Sequence, residues 1–174
     1  MNGLRRKFVS AAVASLFLAS AGNVLAASPA QSSASLARIV QAASDNFSSL
    51  KGEALEHTAG GDHVWAGKEN PFGLFCDIRE KSVVGSGYSY ECDTHGYNGG
   101  QLTLSEAQAE KLSAKILTAF QRAEPGWVWH QDSGGLGAFV GGVARGQYSV
   151  SIRHFMSSVS FHVDAVPFHL RGEP

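Results

Sequence analysis

The sequence lacks most of the patterns by which a function is recognised. It has only two cysteines among 174 residues, and it contains no CxxC, HxH, HxxxH or HExxH spacing and no glycine-rich phosphate loop. The usual thioredoxin-like, zinc-hydrolase and nucleotide-binding motifs are therefore absent, and no cofactor is predicted. The longest apolar run, near the N-terminus, is also shorter than the roughly 20 residues that a membrane-spanning helix requires.

The first 26 residues do contain the three-part pattern of a cleavable leader. A basic segment with Arg5, Arg6 and Lys7 precedes an apolar run and a small-residue site that ends at Ala26. This order is typical of a secretory signal peptide, which is removed after Ala26 or, alternatively, after Ala21. The paired arginines leave open whether the ordinary or the twin-arginine export route is used. We expect a periplasmic or secreted protein without a stable membrane anchor.

The chain that remains after cleavage has the size of one domain, about 148 residues. The leader carries three basic residues and no acidic one, so its removal changes the net charge from −1 to −4. A mildly acidic chain without basic runs binds nucleic acid and anionic membranes poorly. Neither is expected as a partner.

The two cysteines predict one structural disulfide. Cys76 and Cys92 both lie in the mature part of the chain, and an even pair in an oxidising compartment is most simply a bridge. The segments around them alternate apolar and polar residues, as the strands of a hairpin do. If the chain reverses midway, Cys76 lies opposite Cys92, and Ile78 lies opposite Ser86 or Tyr88.

Apolar residues with a 3.6-residue period predict a first helix over 36–50. Ser32 or Ser33 is placed to cap it and Gly52 to end it. Residues 27–35 before it are predicted to be a flexible lead-in.

A second helix is predicted from the capping box between Ser105 and Gln108 up to Pro125. Residues 53–71, which are rich in glycine and polar groups, are predicted to be a loop.

The C-terminal third predicts antiparallel strands over 137–145, 148–156 and 159–167, with a further strand starting at Trp127. A turn at Gly146 pairs Val143 with Val150 and Phe139 with His154. A turn at Ser157–Ser158 pairs Ile152 with Val163 and Val150 with Ala165.

These elements predict a single α+β domain over residues 36–174. Its antiparallel sheet has about five to six strands, and two helices pack on one face. The order is α-β-β-α-β-β-β, with the strand at Trp127 as an optional addition. No internal repeat is apparent in the sequence.

A short segment resembles the nucleophile region of trypsin-like serine proteases. Residues 132–135 read Asp-Ser-Gly-Gly, and Ser133 with His57 or His63 as its base would follow that family's chemistry. The flanking residues Gln131 and Leu136 depart from the family's Gly and Pro. The alternative is a glycine-rich turn between strands, which is the interpretation that the sequence favours.

Seven histidines raise the alternative of a metal site. A long-range set of His57, His63 and His95, completed by Asp62 or Asp93, is the candidate, since neutral imidazole is a common ligand. The local spacings do not support it, and scattered surface histidines are the preferred interpretation.

Three features remain as candidates for binding. The solvent side of the last hairpin groups Arg153, His162 and Asp164, which predicts either a surface charge pair or a site for an anion or a carboxylate. Tryptophans and tyrosines predict core packing or, alternatively, the groove of a small-ligand carrier. The strand over 138–144 is apolar or small on both faces, which favours a contact surface. The preferred hypothesis is a non-enzymatic binding module for another exported protein.

Overall fold

A computed structural model describes residues 28–55, 63–81, 87–97, 99–132, 138–145 and 148–165. The side chains of residues 29, 81, 131, 132 and 138–145 are not described. The predicted leader, His57, Asp62, Ser133 and the glycine turn at Gly146 lie outside the described residues. In the part of the chain that the structure describes, no helix is both long and apolar enough to cross a membrane.

The first helix begins earlier than the sequence predicts. Helix α1 spans Pro29–Ala42, and Ser28 and Gln31 form its capping box. The prediction of a flexible lead-in over 27–35 is therefore wrong, because the capping box and the proline in the first turn start the helix before the apolar periodicity does. Two short 3-10 turns, Ala43–Asp45 and Ser48–Leu50, replace its predicted last turns.

Four strands follow α1: β1 Lys51–Leu55, β2 His63–Gly67, β3 Phe75–Lys81 and β4 Gly87–Asp93. The predicted loop over 53–71 is thus wrong in part, since it contains the end of β1 and all of β2.

The β3–β4 hairpin has the predicted cysteine register. Cys76 lies opposite Cys92, and the two form a disulfide with Cα atoms 4.1 Å apart. The same register sets Ile78 opposite Tyr90, so its predicted pairing with Ser86 or Tyr88 is wrong.

Helix α2 spans Glu106–Ala123, with the predicted capping box between Ser105 and Gln108. Four further strands follow it: β5 His130–Asp132, β6 Ala138–Arg145, β7 Tyr148–Phe155 and β8 Ser158–Asp164. The optional strand at Trp127 therefore starts at His130.

The registers of the last three strands are partly as predicted. Val143 does pair with Val150, but an irregularity between Phe139 and Gly141 sets Phe139 opposite Arg153 instead of His154. The final turn lies one residue earlier than predicted, at Met156, whose φ of 51° is left-handed.

This turn moves the β7–β8 register by two residues. Val150 pairs with Val163, and Ile152 pairs with Phe161. Since the shift is even, each side chain stays on its predicted face.

The eight strands form one antiparallel sheet in the order β1-β2-β3-β4-β8-β7-β6-β5. The α+β class with an antiparallel sheet is confirmed, and this sheet has eight strands in the described residues, where five to six were predicted. Along the chain, a helix followed by four strands occurs twice. The order of the strands in the sheet is symmetric about the β4–β8 pair. The two helices also start with the same Ser-x-Ala-Gln sequence, at Ser28 and Ser105. The chain therefore has a structural repeat that its sequence hides.

Both helices pack on one face of the sheet and enclose the core. The largest fully buried side chains on this face come mainly from the two helices, the segments beside them and the central strands: Leu36, Ile39, Phe47, Leu74, Ile78, Tyr90, Ile116, Phe120, Val150, Ile152 and Phe161. Val64 of β2 is equally buried, but its register opposite Arg79 puts it on the other face. Edge-to-face contacts join Phe47 to Tyr90 and Phe120 to Phe161. The alternating apolar residues of the strands supply this face and leave the other face polar.

A buried tyrosine ties the chain between β2 and β3 to the core. The Tyr90 hydroxyl donates to the Glu69 carbonyl oxygen at 2.7 Å and accepts from the Glu69 amide at 2.9 Å. The Glu69 carboxylate in turn accepts hydrogen bonds from Ser35 and Arg38 of α1. The hydrogen bond from Arg38 is the main reason why the pKa of Glu69 is lowered.

We expect Gly67→Ala to destabilise the protein. A Cβ atom at Gly67 would lie 2.5 Å from the Tyr90 hydroxyl oxygen and 3.1 Å from the Cys76 carbonyl oxygen, so the buried hydroxyl must move. Overpacking of this kind costs about 1–3 kcal/mol. Gly126→Ala is the matched control, because a Cβ there meets nothing within 4 Å. Urea unfolding of the two variants measures the difference. Equal unfolding midpoints for Gly67→Ala and Gly126→Ala would contradict this packing.

Removal of the bridge should lower stability without changing the fold. The chain-entropy model gives about 3 kcal/mol for a loop of this size. Cys76→Ala/Cys92→Ala should therefore unfold at lower urea, and thiol reduction of the unaltered protein should have a similar effect. An unchanged unfolding midpoint after reduction would show that the bridge contributes nothing.

Candidate functional site

The helix-free face of the sheet carries polar side chains across its four central strands. We call this surface the polar face. By the observed registers its members come from β3, β4, β8 and β7. They are Asp77, Arg79, Ser89, Glu91, Asp93, Ser160, His162, Asp164, Ser149, Ser151 and Arg153. The set includes four carboxylates and two guanidinium groups, so the face is acidic when histidine is neutral.

A row of charged groups crosses the middle of the polar face. Asp77 lies opposite Glu91, and Glu91 lies opposite His162. The Arg79 guanidinium donates two hydrogen bonds to Asp77, at 3.0 and 3.2 Å, and its Nε lies 3.2 Å from Glu91 Oε2. His162 Nδ1 is 3.8 Å from Glu91 Oε1. One arginine therefore bridges two neighbouring carboxylates, and the histidine extends the row.

Burial changes the electrostatics of this row. Asp77 is 8% exposed, and desolvation raises the pKa of its carboxyl, although the hydrogen bond and charge of Arg79 act in the opposite direction. The hydrogen bond to Asp77 raises the pKa of Arg79, and the charge of Glu91 adds to this effect. The row is thus a partly dehydrated charge network and not a set of independent surface ions.

Small side chains form a floor beneath the charged groups. Ser89 is 0% exposed and Ser149 and Ser151 are also buried. Backbone pairing places Gly142 next to Ser151 on the same face. The Ser89 hydroxyl has no hydrogen-bond partner in the described structure. A buried hydroxyl without a partner is uncommon, since leaving it unpaired costs free energy.

The floor and the charged groups follow the repeat of the fold. A two-fold axis through the Glu91–His162 pair relates β4 to β8 and β3 to β7. By the registers, Arg79 then corresponds to Arg153, while Asp93 and Asp164 are equivalent. The polar face is therefore built from two similar halves with the charged row at their junction.

Exposed apolar side chains lie at one end of the polar face. Phe155 is 49% exposed at the end of β7, and Met156 is 64% exposed in the following turn. Tyr97 is 38% exposed in the loop after β4. This loop approaches the sheet closely, because a Cβ at Gly100 would lie 2.7 Å from the ring of Phe75.

The structure separates the described histidines of the predicted metal site. The His63 ring stacks on Trp65 at 5.9 Å, and His63 lies opposite Glu80 at one end of β3. His95 contacts Asp93 and Gln101 beyond the other end. Five residues of extended strand put about 17 Å between these ends. The two cannot share a metal ion, and among the described residues no three potential ligands are grouped for one.

The predicted hydrolase residues Ser133 and His57 lie outside the described residues. The structure therefore does not place the nucleophile or one of its two candidate bases. His63 is placed, on the helix-covered side of the sheet and stacked on Trp65.

The cluster predicted from Arg153, His162 and Asp164 does lie on one face, but its pairings are wrong by two residues. His162 lies opposite Ser151, and Arg153 lies opposite Ser160. His162 instead approaches Glu91 of the neighbouring strand. The error follows from the early turn at Met156.

The aromatic residues are largely core components. Trp127 and Trp129 are partly buried against the core, and Trp129 packs on Phe120 at 5.8 Å. Lys51 Nζ lies 3.8 Å from the ring centroid of Trp65 and 4.1 Å from that of Tyr88. This cation–π contact covers the rings that a ligand groove would use.

Arg79 and Glu91 were not among the residues singled out from the sequence. One signal for them was present: the cysteine register sets Asp77 opposite Glu91, and two like charges in that arrangement repel unless a cation lies between them. The neighbour β8 is far away in the chain, so the position of His162 beside Glu91 has no local signal.

Folding should shift the pKa of the Asp77 carboxyl and that of the Glu69 carboxyl in opposite directions. Asp77, whose pKa burial raises, should protonate at higher pH in the folded protein than in urea, and Glu69 at lower pH. Glu69 therefore stabilises the fold above its unfolded pKa, and this contribution is lost as pH falls through its folded pKa. Asp77 destabilises it when ionised, and this penalty disappears as pH falls through its raised pKa. Carboxyl ¹³C NMR titration measures both, and a lowered pKa at Asp77 would contradict its burial.

Comparison with known proteins supplies no family for this chain. No protein-family model, curated protein or solved structure matches it. Its functional assignment therefore depends on the geometry of the described residues, and above all on the polar face.

Proposed function

We propose that this chain is an exported, non-enzymatic binding module that engages another exported protein through its polar face. The observation that carries the proposal is the combination, on one helix-free sheet face, of the charged row Asp77–Arg79–Glu91–His162 with the exposed apolar end at Phe155 and Met156.

The composition of the face supports a protein partner. Protein interfaces are enriched in aromatic residues, methionine and arginine, and a few such side chains dominate binding. Tyr97, Phe155 and Met156 offer exposed apolar anchors beside the arginine-centred network. The small serines lower the centre of the face and leave room for side chains of the partner.

The dimensions of the face also favour a protein over a small molecule. The eight-stranded sheet is about 34 Å wide at about 4.8 Å per strand spacing, and a seven-residue strand is about 23 Å long. A standard interface buries about 800 Å² per partner, so a protein partner would cover the four-strand polar face, about 14 Å wide, together with the strands beside it.

The charge of the face defines the complementary partner. Four carboxylates against two guanidinium groups favour a partner patch that carries lysine or arginine next to apolar residues. Such a pair would associate more slowly as ionic strength rises, because salt screens the attraction.

Export is the second part of the proposal. The three-part leader pattern before Ala26 supports it, and so does the Cys76–Cys92 bridge, since disulfides persist mainly in oxidising compartments.

Capture from an extract of exported proteins tests the proposal. Immobilised protein should retain a partner, and Tyr97→Ala/Phe155→Ala should reduce retention at least tenfold, since it removes two apolar anchors. Val128→Ala is the matched control, because Val128 is 72% exposed and precedes the edge strand β5, outside the four strands of the polar face. Retention that is lost equally in the control, or that survives in the double variant, would contradict the assignment, as would a protein that retains nothing.

A further inference from the structure

A separate groove runs beside α2. Its floor is apolar and consists of Phe72 from the turn between β2 and β3, Leu102 and Leu104 from the segment before α2, and Leu112 of α2 itself. The groove has a volume of about 390 Å³. This is within the usual range for small-molecule sites, about 300–1,000 Å³.

Two lysines form one rim of this groove. Lys111 and Lys115 line it from α2, and both are exposed. They are four residues apart, so their ammonium groups are neighbours on the same helix face. No acidic residue lies three or four positions from either of them in the sequence. Neither lysine has an ion-pair partner in the part of the chain that the structure describes.

The positive charges of Lys111 and Lys115 are not compensated by acidic side chains of the described chain. Like charges four residues apart destabilise a helix, and an anion between them would reverse that effect. The apolar floor is likewise only partly covered, since its four members are half-buried. Two neighbouring lysines without ion-pair partners, above partly exposed apolar side chains, are complementary to a molecule with an acidic head and an aliphatic tail.

The backbone of Phe72 contributes to the floor in an uncommon way. Its φ of 60° and ψ of 11° are left-handed, a conformation that costs free energy for a residue with a side chain. The following Gly73 is also left-handed, with φ 71°. These two residues turn the chain where the Phe72 ring lines the groove.

We propose that this groove binds a small amphiphilic anion. The aliphatic part lies against Phe72, Leu104 and Leu112, and the acid group accepts hydrogen bonds from Lys111 and Lys115. The stretch of α2 from Gln108 to Lys115 is about 10 Å long, which suits a short acyl chain and is small for a docked protein segment.

The groove is independent of the proposed protein-binding surface. It lies beside α2, whereas the polar face is the side of the sheet that the helices do not cover. Binding at one surface therefore neither requires nor excludes binding at the other.

Titration with decanoate below its micellar concentration tests the proposal. Backbone amide NMR of the ¹⁵N-labelled protein should show saturable shifts at Leu102, Leu104 and Leu112. Lys111→Gln/Lys115→Gln should weaken binding at least tenfold, while Arg122→Gln, an exposed cation further along the same helix, should leave it unchanged. Both positions are on the surface, so the variants should fold.

Decyltrimethylammonium is the matched probe, since its aliphatic chain has nearly the same length and its charge is opposite. It should bind much more weakly than decanoate. Equal binding of the two probes, decanoate affinity that the lysine replacements do not change, or shifts that lie away from the groove would each overturn the proposal. So would a groove that takes an acidic amphipathic peptide but not decanoate.

Discussion

The pairing of β4 with β8 is the constraint on which the rest of the structure depends. Each of these strands ends a four-strand meander, and their antiparallel contact joins the two meanders into one sheet. It places Tyr90 beside Val163 and Cys92 beside Phe161 on the core side, so that one apolar face spans both halves. On the other side the same pairing brings Glu91 to His162.

The two faces of this sheet have different roles. The helix-covered face gains stability from apolar burial, whereas the polar face keeps charged and hydroxyl groups in positions where water is partly excluded. The Arg79 guanidinium offsets part of the repulsion between Asp77 and Glu91, but desolvation by burial still raises the pKa of the Asp77 carboxyl. A surface that keeps a buried carboxyl at a cost in folding free energy is a better candidate for binding than a surface whose charges and hydrogen bonds are all compensated.

Local patterns predicted local structure well and distant pairings poorly. The capping box at Ser105 and the cysteine pair each depend on residues close in sequence, and both were confirmed. The final hairpin was misplaced because a methionine occupies the left-handed turn position, which sequence rules reserve for glycine or asparagine. The charged row could not be predicted, because Glu91 and His162 are brought together only by the central strand pairing.

The most direct test of this account is a measurement of the β4–β8 register in solution. Cross-strand nuclear Overhauser effects between backbone protons report which residues face each other. The account predicts such contacts between Tyr90 and Val163 and between Cys92 and Phe161. A register displaced by two residues would set Glu91 opposite Asp164 or Ser160 instead of His162, and it would contradict both the charged row and the surface built around it.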